Sequence, residues 1–144
     1  MLIRSLRDAL DGFPRIEFAF LFGSAVAERL RDDSDLDIAV YLDSGGALEV
    51  EAERRHDPQL ESAIQLAAER ATDRDVDLVI LNRAAATICA TAVTSGALIL
   101  SRNDALRSRY FLAVTGTGSW RRAFGHTART AIFGEISTAG WKCS

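Results

Sequence analysis

Two aspartates separated by a single residue, Asp35-Leu36-Asp37, stand ten residues after a Gly23-Ser24 pair, with apolar segments before the glycine and after the second aspartate. Side chains alternate along a strand, so a strand running into Ile38-Ala39-Val40-Tyr41-Leu42 sends Asp35 and Asp37 to one face. Two carboxylates on one face repel each other, and a divalent cation removes that repulsion. Hard oxygen donors at short spacing suit Mg²⁺, which keeps several waters and takes substrate phosphates as further ligands. Gly23 ends the run Phe18-Ala19-Phe20-Leu21-Phe22. A glycine there lets backbone approach phosphate oxygens, and a helix starting after it presents N–H donors to the same anion. Ser24 adds a hydroxyl contact and also suits a helix N-cap. The expected ligand is a nucleotide with Mg²⁺.

A third carboxylate heads another apolar run, Asp77-Leu78-Val79-Ile80-Leu81. If that strand lies beside the second, Asp77 joins Asp35 and Asp37 in one site. Asp75 is two residues earlier on the same face and remains the alternative, but Asp77 is deeper in the apolar run and is preferred.

The elements that must carry these residues follow from periodicity. Leu2, Leu6, Ala9 and Leu10 at helical spacing predict a first helix ending near Asp11-Gly12, with Pro14 barring its continuation. Strands are predicted from about Glu17 to Phe22, after Asp35, and from Asp77 to Leu81. Ala25, Val26, Ala27 and Leu30 give a short helix after Ser24. Leu60, Ile64, Leu66 and Ala67 give another to about Ala71, reached through the charged segment Glu49 to Pro58. Ala84 to Val93 and Asp104 to Val114 read as helices, and Ala97 to Leu100 as a short strand or helical turn. The order is alternating α/β. Thr115-Gly116-Thr117-Gly118-Ser119 breaks the pattern, and the stretch beyond it has no clean period. That run lacks the lysine of a P-loop and no apolar strand leads into it, so it is read as a turn.

The composition is that of one globular domain: 144 residues, 48% of them hydrophobic, and two prolines. No apolar run has the length of a membrane span and no long apolar signal core is present, so the expected location is the cytoplasm. Cys89 and Cys143 are far apart without histidines nearby, so neither a disulfide framework nor a zinc site is indicated. His56 and His126 accompany no nucleophile pattern, which argues against a hydrolytic triad. Arg29 and Arg31, between Ser24 and Asp35, and Tyr110 with Arg107 and Arg109 are read as surface or core residues. Charge is uneven: residues 1 to 82 carry 9 basic and 18 acidic side chains, residues 83 to 144 carry 8 and 2, within a net −3. Such asymmetry suits either an acidic partner or internal pairing.

Leu21-Phe22-Gly23-Ser24, Asp35-Leu36-Asp37-Ile38-Ala39-Val40 and Asp77-Leu78-Val79-Ile80-Leu81-Asn82 together resemble the minimal nucleotidyltransferases, small members of the DNA polymerase β-like superfamily. Within these the chain is most similar to the antitoxins that partner a HEPN-domain ribonuclease toxin. The resemblance implies an α/β (α+β) nucleotidyltransferase fold, a small mixed β-sheet flanked by helices; the nucleotidyltransferase domain is assigned to residues 1–114, with residues 115–144 as a C-terminal tail of the same domain. It implies Gly23 and Ser24 as nucleotide-binding residues, and Asp35, Asp37 and Asp77 as catalytic, metal-binding residues. The implied reaction is Mg²⁺-dependent transfer of AMP from ATP to a tyrosine hydroxyl of the HEPN toxin, without a membrane or direct nucleic-acid partner. Two other readings are weighed: a small-molecule (aminoglycoside-like) or RNA-end acceptor, and an antitoxin that masks its toxin by binding alone. The chain departs from the pattern at Val26-Ala27-Glu28-Arg29, where similar proteins often carry a small residue, and in the tail after Val114.

Overall fold

The computed structural model describes residues 2–23, 35–53 and 57–116. In chain order the elements are α1 (Leu2–Leu10), β1 (Ile16–Phe22), β2 (Leu36–Leu42), α2 (Pro58–Thr72), β3 (Val76–Ile80), α3 (Ala86–Ser95), β4 (Ala97–Ser101) and α4 (Asp104–Thr115). The strands form one mixed sheet in the order β3-β2-β1-β4. β2 and β4 are antiparallel to β1. β3 is parallel to β2, reached through α2, as a parallel neighbour requires a crossover. The helix expected after Ser24 and the tail beyond Gly116 lie outside the described residues.

Each boundary has a local cause. The Asp57 side chain accepts from Leu60 N at 3.2 Å and Pro58 occupies the first turn, so α2 starts at the end of the charged segment. The Asn103 side chain caps α4 by accepting from Leu106 N at 3.0 Å. α3 starts two residues later than periodicity predicts, at Ala86. Its cap comes from a distant residue: the Glu51 carboxylate accepts from Ala86 N at 2.7 Å. Ala97 to Ser101 is a strand because β1 offers it an edge to pair with, Leu21 facing Ala97 and Phe18 facing Ser101. β1 begins one residue earlier than expected, and its register against β2 shifts between Ile16 and Phe18.

Both sheet faces are buried. Phe18, Phe20, Ala39, Tyr41 and Leu81 pack with Cys89, Ala92, Leu106, Tyr110 and Ala113 of α3 and α4. On the other face Ala19, Leu21, Ile38, Val40, Ile80 and Ile99 meet Leu6 and Leu10 of α1 and Ile64 and Ala68 of α2. Phe18 stacks on Tyr41 at 4.9 Å, and the edge of Tyr110 meets Tyr41 at 5.2 Å. Tyr110 donates its hydroxyl to Leu81 O at 2.9 Å. Burial holds that phenol well above its ordinary pKa and pushes the Cys89 thiol up to about 11, so Cys89 stays a protonated core residue at neutral pH.

One buried polar side chain ties the end of β3 to β2. Asn82 accepts from Leu42 N at 2.9 Å and donates to Leu42 O at 2.9 Å and to the Glu49 carboxylate at 2.8 Å. It is fully buried. Replacing it leaves a buried N–H and C=O of Leu42 unpaired, a cost of about 2–4 kcal/mol. Asn82→Ala is therefore expected to lower the unfolding free energy in urea by that amount, whereas Leu66→Ala, at a 45% exposed position, should change it by less than about 0.5 kcal/mol.

Candidate active site

The residues singled out by spacing meet at one end of the sheet. In the β1–β2 register Phe22 faces Asp37, and in the β2–β3 register Asp37 lies beside Asp77. Phe22, Asp37 and Asp77 therefore form a row across three strands, on the face that carries Phe20 and Ala39 one step deeper. The apolar core ends there and the carboxylates begin. Asp35 immediately precedes β2 and is exposed, as is Asp77, whereas Asp37 is partly buried between its neighbours.

The electrostatics record the same proximity. The Asp37 carboxyl is held above its ordinary value of 3.8, first by burial, then by the negative charges of Asp77 and Asp35. The charges that act on it are those of Asp77 and Asp35, which favours Asp77 over Asp75 as the third member. Asp75 precedes β3, and its backbone carbonyl accepts from Leu36 N at 2.9 Å, locking the start of the β2–β3 pairing.

Gly23 closes the row on the β1 side. Its φ is +79°, a conformation that favours glycine. A Cβ built on it would overlap Asp37 Oδ2 and come within 3.2 Å of Asp37 Cγ. Ser24 lies outside the described residues, as do Arg29, Arg31, Ser34, His56, His126 and Cys143.

At the same end of the sheet, on the far side of β1, Gly96 joins α3 to β4, and a Cβ there would meet Ala92 O and approach Leu21 O at 2.9 Å. This close passage brings the α3–β4 corner against the last turns of β1. Nothing in the spacing of the sequence marked Gly96 for that role. A glycine directly before a short apolar run was the available signal.

The donor set is made of oxygens only, and its members repel one another, which is the chemistry that a hard divalent cation satisfies. Among the described residues no three Asp, Glu, His or Cys side chains close on a common point as a self-sufficient metal cage. An ion that completes its shell with water and phosphate oxygens fits such an open set; one that needs a full protein cage does not. The residues present thus fit Mg²⁺ bound together with a nucleotide.

A mixed sheet flanked by helices, with a glycine turn and carboxylates on neighbouring strand ends, defines a nucleotidyltransferase fold. Residues 4–105 match the family described as polymerase beta, nucleotidyltransferase, and the chain belongs to that family of nucleotidyl-transferring enzymes. No curated protein matches it significantly in sequence. Among solved structures it is similar to a toxin–antitoxin complex with AMP-PNP, at 23% identity and a TM-score of 0.61, covering 85% of this chain and 94% of that one. It is similar, too, to a tri-AMPylated Shewanella oneidensis HEPN toxin in complex with an MNT antitoxin, at 21% identity and a TM-score of 0.57, covering 85% and 94%. A third similar structure is the MntA–HepT toxin–antitoxin, at 21% identity and a TM-score of 0.57, covering 85% and 92%. At these identities the likeness shows the fold. No helix among the described residues is long and apolar enough to cross a membrane.

A raised carboxyl pKa has a stability consequence whose sign is fixed. Folding places Asp37 where its charged form is disfavoured, so it destabilises the apo fold above its raised pKa, and that penalty vanishes below the unfolded value of 3.8. Asp37→Asn, neutral throughout, should raise the melting temperature of the metal-free protein at pH 7. The gain should shrink as pH falls through the raised pKa and disappear below 3.8, as followed by circular dichroism melts across pH.

Proposed function

We propose that the protein is a Mg²⁺-dependent nucleotidyltransferase that transfers AMP from ATP to a tyrosine hydroxyl of a HEPN-domain toxin, and so acts as the antitoxin of the pair. The observation that carries the chemistry is the row Gly23, Asp37, Asp77 across three adjacent strand ends, with Asp35 beside it. The likeness in fold to complexes of MNT antitoxins with HEPN toxins, one of them AMPylated, supports the choice of acceptor.

Asp35 and Asp37 would hold Mg²⁺, with Asp77 contributing to the same ion or a second one. Bound there, the ion would supply neutralisation of the phosphate charge that develops during transfer. The backbone at Gly23, with Ser24, would receive the triphosphate. Asp77 is exposed and thus able to reach the acceptor, where it takes the proton of the tyrosine hydroxyl. That oxygen forms the new bond to the α-phosphorus, the bond from the α-phosphorus to the bridging oxygen breaks, and pyrophosphate leaves.

Incubated with Mg²⁺, ATP labelled on its α-phosphate and the protein encoded by the neighbouring reading frame, the wild-type protein is expected to label that partner on tyrosine. Asp37→Asn and Asp77→Asn should each reduce labelling by at least about 100-fold, since even groups supporting metal ligands are worth 10- to 100-fold. Neutralisation of the toxin that survives intact in Asp37→Asn would mean that binding alone suffices. Label found on added aminoglycoside or RNA instead of protein would move the acceptor to another class.

A further inference from the structure

The sequence presents Gly23 as a residue that lets phosphate approach the backbone. The structure places something else in the space that its missing side chain leaves. The Asp37 carboxylate lies against Gly23, with Oδ2 where a Cβ would stand and Asp37 Cγ and Cβ at 3.2 and 3.4 Å from that position. The contact follows from the fold. Phe22 is the register partner of Asp37, so the next residue of β1 passes directly beside the aspartate, and the φ of +79° turns the chain there.

We infer that Gly23 is a positioning residue for the Asp37 carboxylate: its absent Cβ is what leaves room for the Asp37 rotamer in which Oδ2 lies against the Gly23 backbone, with Asp77 beside it in the strand register. A side chain at position 23 forces a shift, and the mobile partner is the end of the Asp37 side chain rather than the paired backbone of β1 and β2. The carboxylate turns away, and the site loses a correctly aimed oxygen before any phosphate is bound. This inference rests on the reading of Asp37 as a metal ligand. It differs from that reading in assigning the glycine to the metal half of the site.

The contact separates two effects that a glycine substitution usually mixes. Gly45 has nearly the same φ, +78°, and nothing within 4 Å of an added Cβ. Gly45→Ala therefore carries the backbone strain without the collision. Asn tolerates positive φ better than most side chains yet carries a Cβ, so Gly23→Asn carries the collision with less of the strain.

Mn²⁺ binding to the nucleotide-free protein, read by electron paramagnetic resonance, tests this without turnover. ATP binding in EDTA gives the phosphate half by itself. Wild type and Gly45→Ala should bind Mn²⁺ alike, while Gly23→Ala and Gly23→Asn should weaken it by about 10- to 100-fold, the range expected when a group orienting a metal ligand is lost. In an Asp37→Asn background Gly23→Asn should weaken Mn²⁺ binding no further. Wild-type Mn²⁺ affinity retained in Gly23→Asn, with loss confined to ATP in EDTA, overturns the inference and returns the glycine to the phosphate. Mn²⁺ bound equally well by wild type and Asp37→Asn, both without nucleotide and with a non-hydrolysable ATP analogue, overturns the metal reading itself, a distinct outcome.

Discussion

Like charges side by side at Asp37 and Asp77 are the arrangement on which the molecule turns, because nothing about two neighbouring carboxylates holds them together. The parallel pairing of β3 on β2 does so, with Leu36 N on Asp75 O at 2.9 Å at one end and Leu81 N on Val40 O at 2.8 Å at the other. Residues between them pair in register without a break. The repulsion is carried by hydrogen bonds and apolar burial elsewhere in the strands.

That support is strongest away from the carboxylates. Asn82 fastens β3 to the end of β2, and Glu51 reaches from the following loop to cap α3. The Arg102 guanidinium donates to Ile16 O at 2.6 Å and Phe13 O at 3.1 Å, joining β4 to the turn between α1 and β1. Aromatic contacts among Phe18, Tyr41 and Tyr110 fill the same half. Stability and chemistry thus occupy opposite ends of one sheet. An end that gathers like charges is the end at which a cation has most to gain.

Much of this was legible in the sequence because the relevant signals are local. Apolar runs ending in Gly23 and beginning after Asp35 and Asp77 give the strands, and alternation alone places Asp35 with Asp37. The pairing of β3 with β2 had to be assumed, since no local pattern tells a strand its neighbour. Long-range capping was invisible for the same reason: Glu51 and Ala86 are joined only by the fold, and so the start of α3 was misplaced by two residues. Gly23 was read from its type and its place after a strand, which suggests phosphate. Its contact with Asp37 depends on register across strands, a property that a linear pattern does not contain.

Strand order has one more effect. β3 is the last strand on its side of the sheet, so Asp77 stands at a rim, with Asp37 inward of it and β1 further in. Among the described residues no further strand lies beyond Asp77 to wall that flank. On the proposed reading, an edge strand is the place where a large acceptor meets the carboxylates. A whole protein can offer one side chain across the rim where a closed cleft would admit only a small molecule.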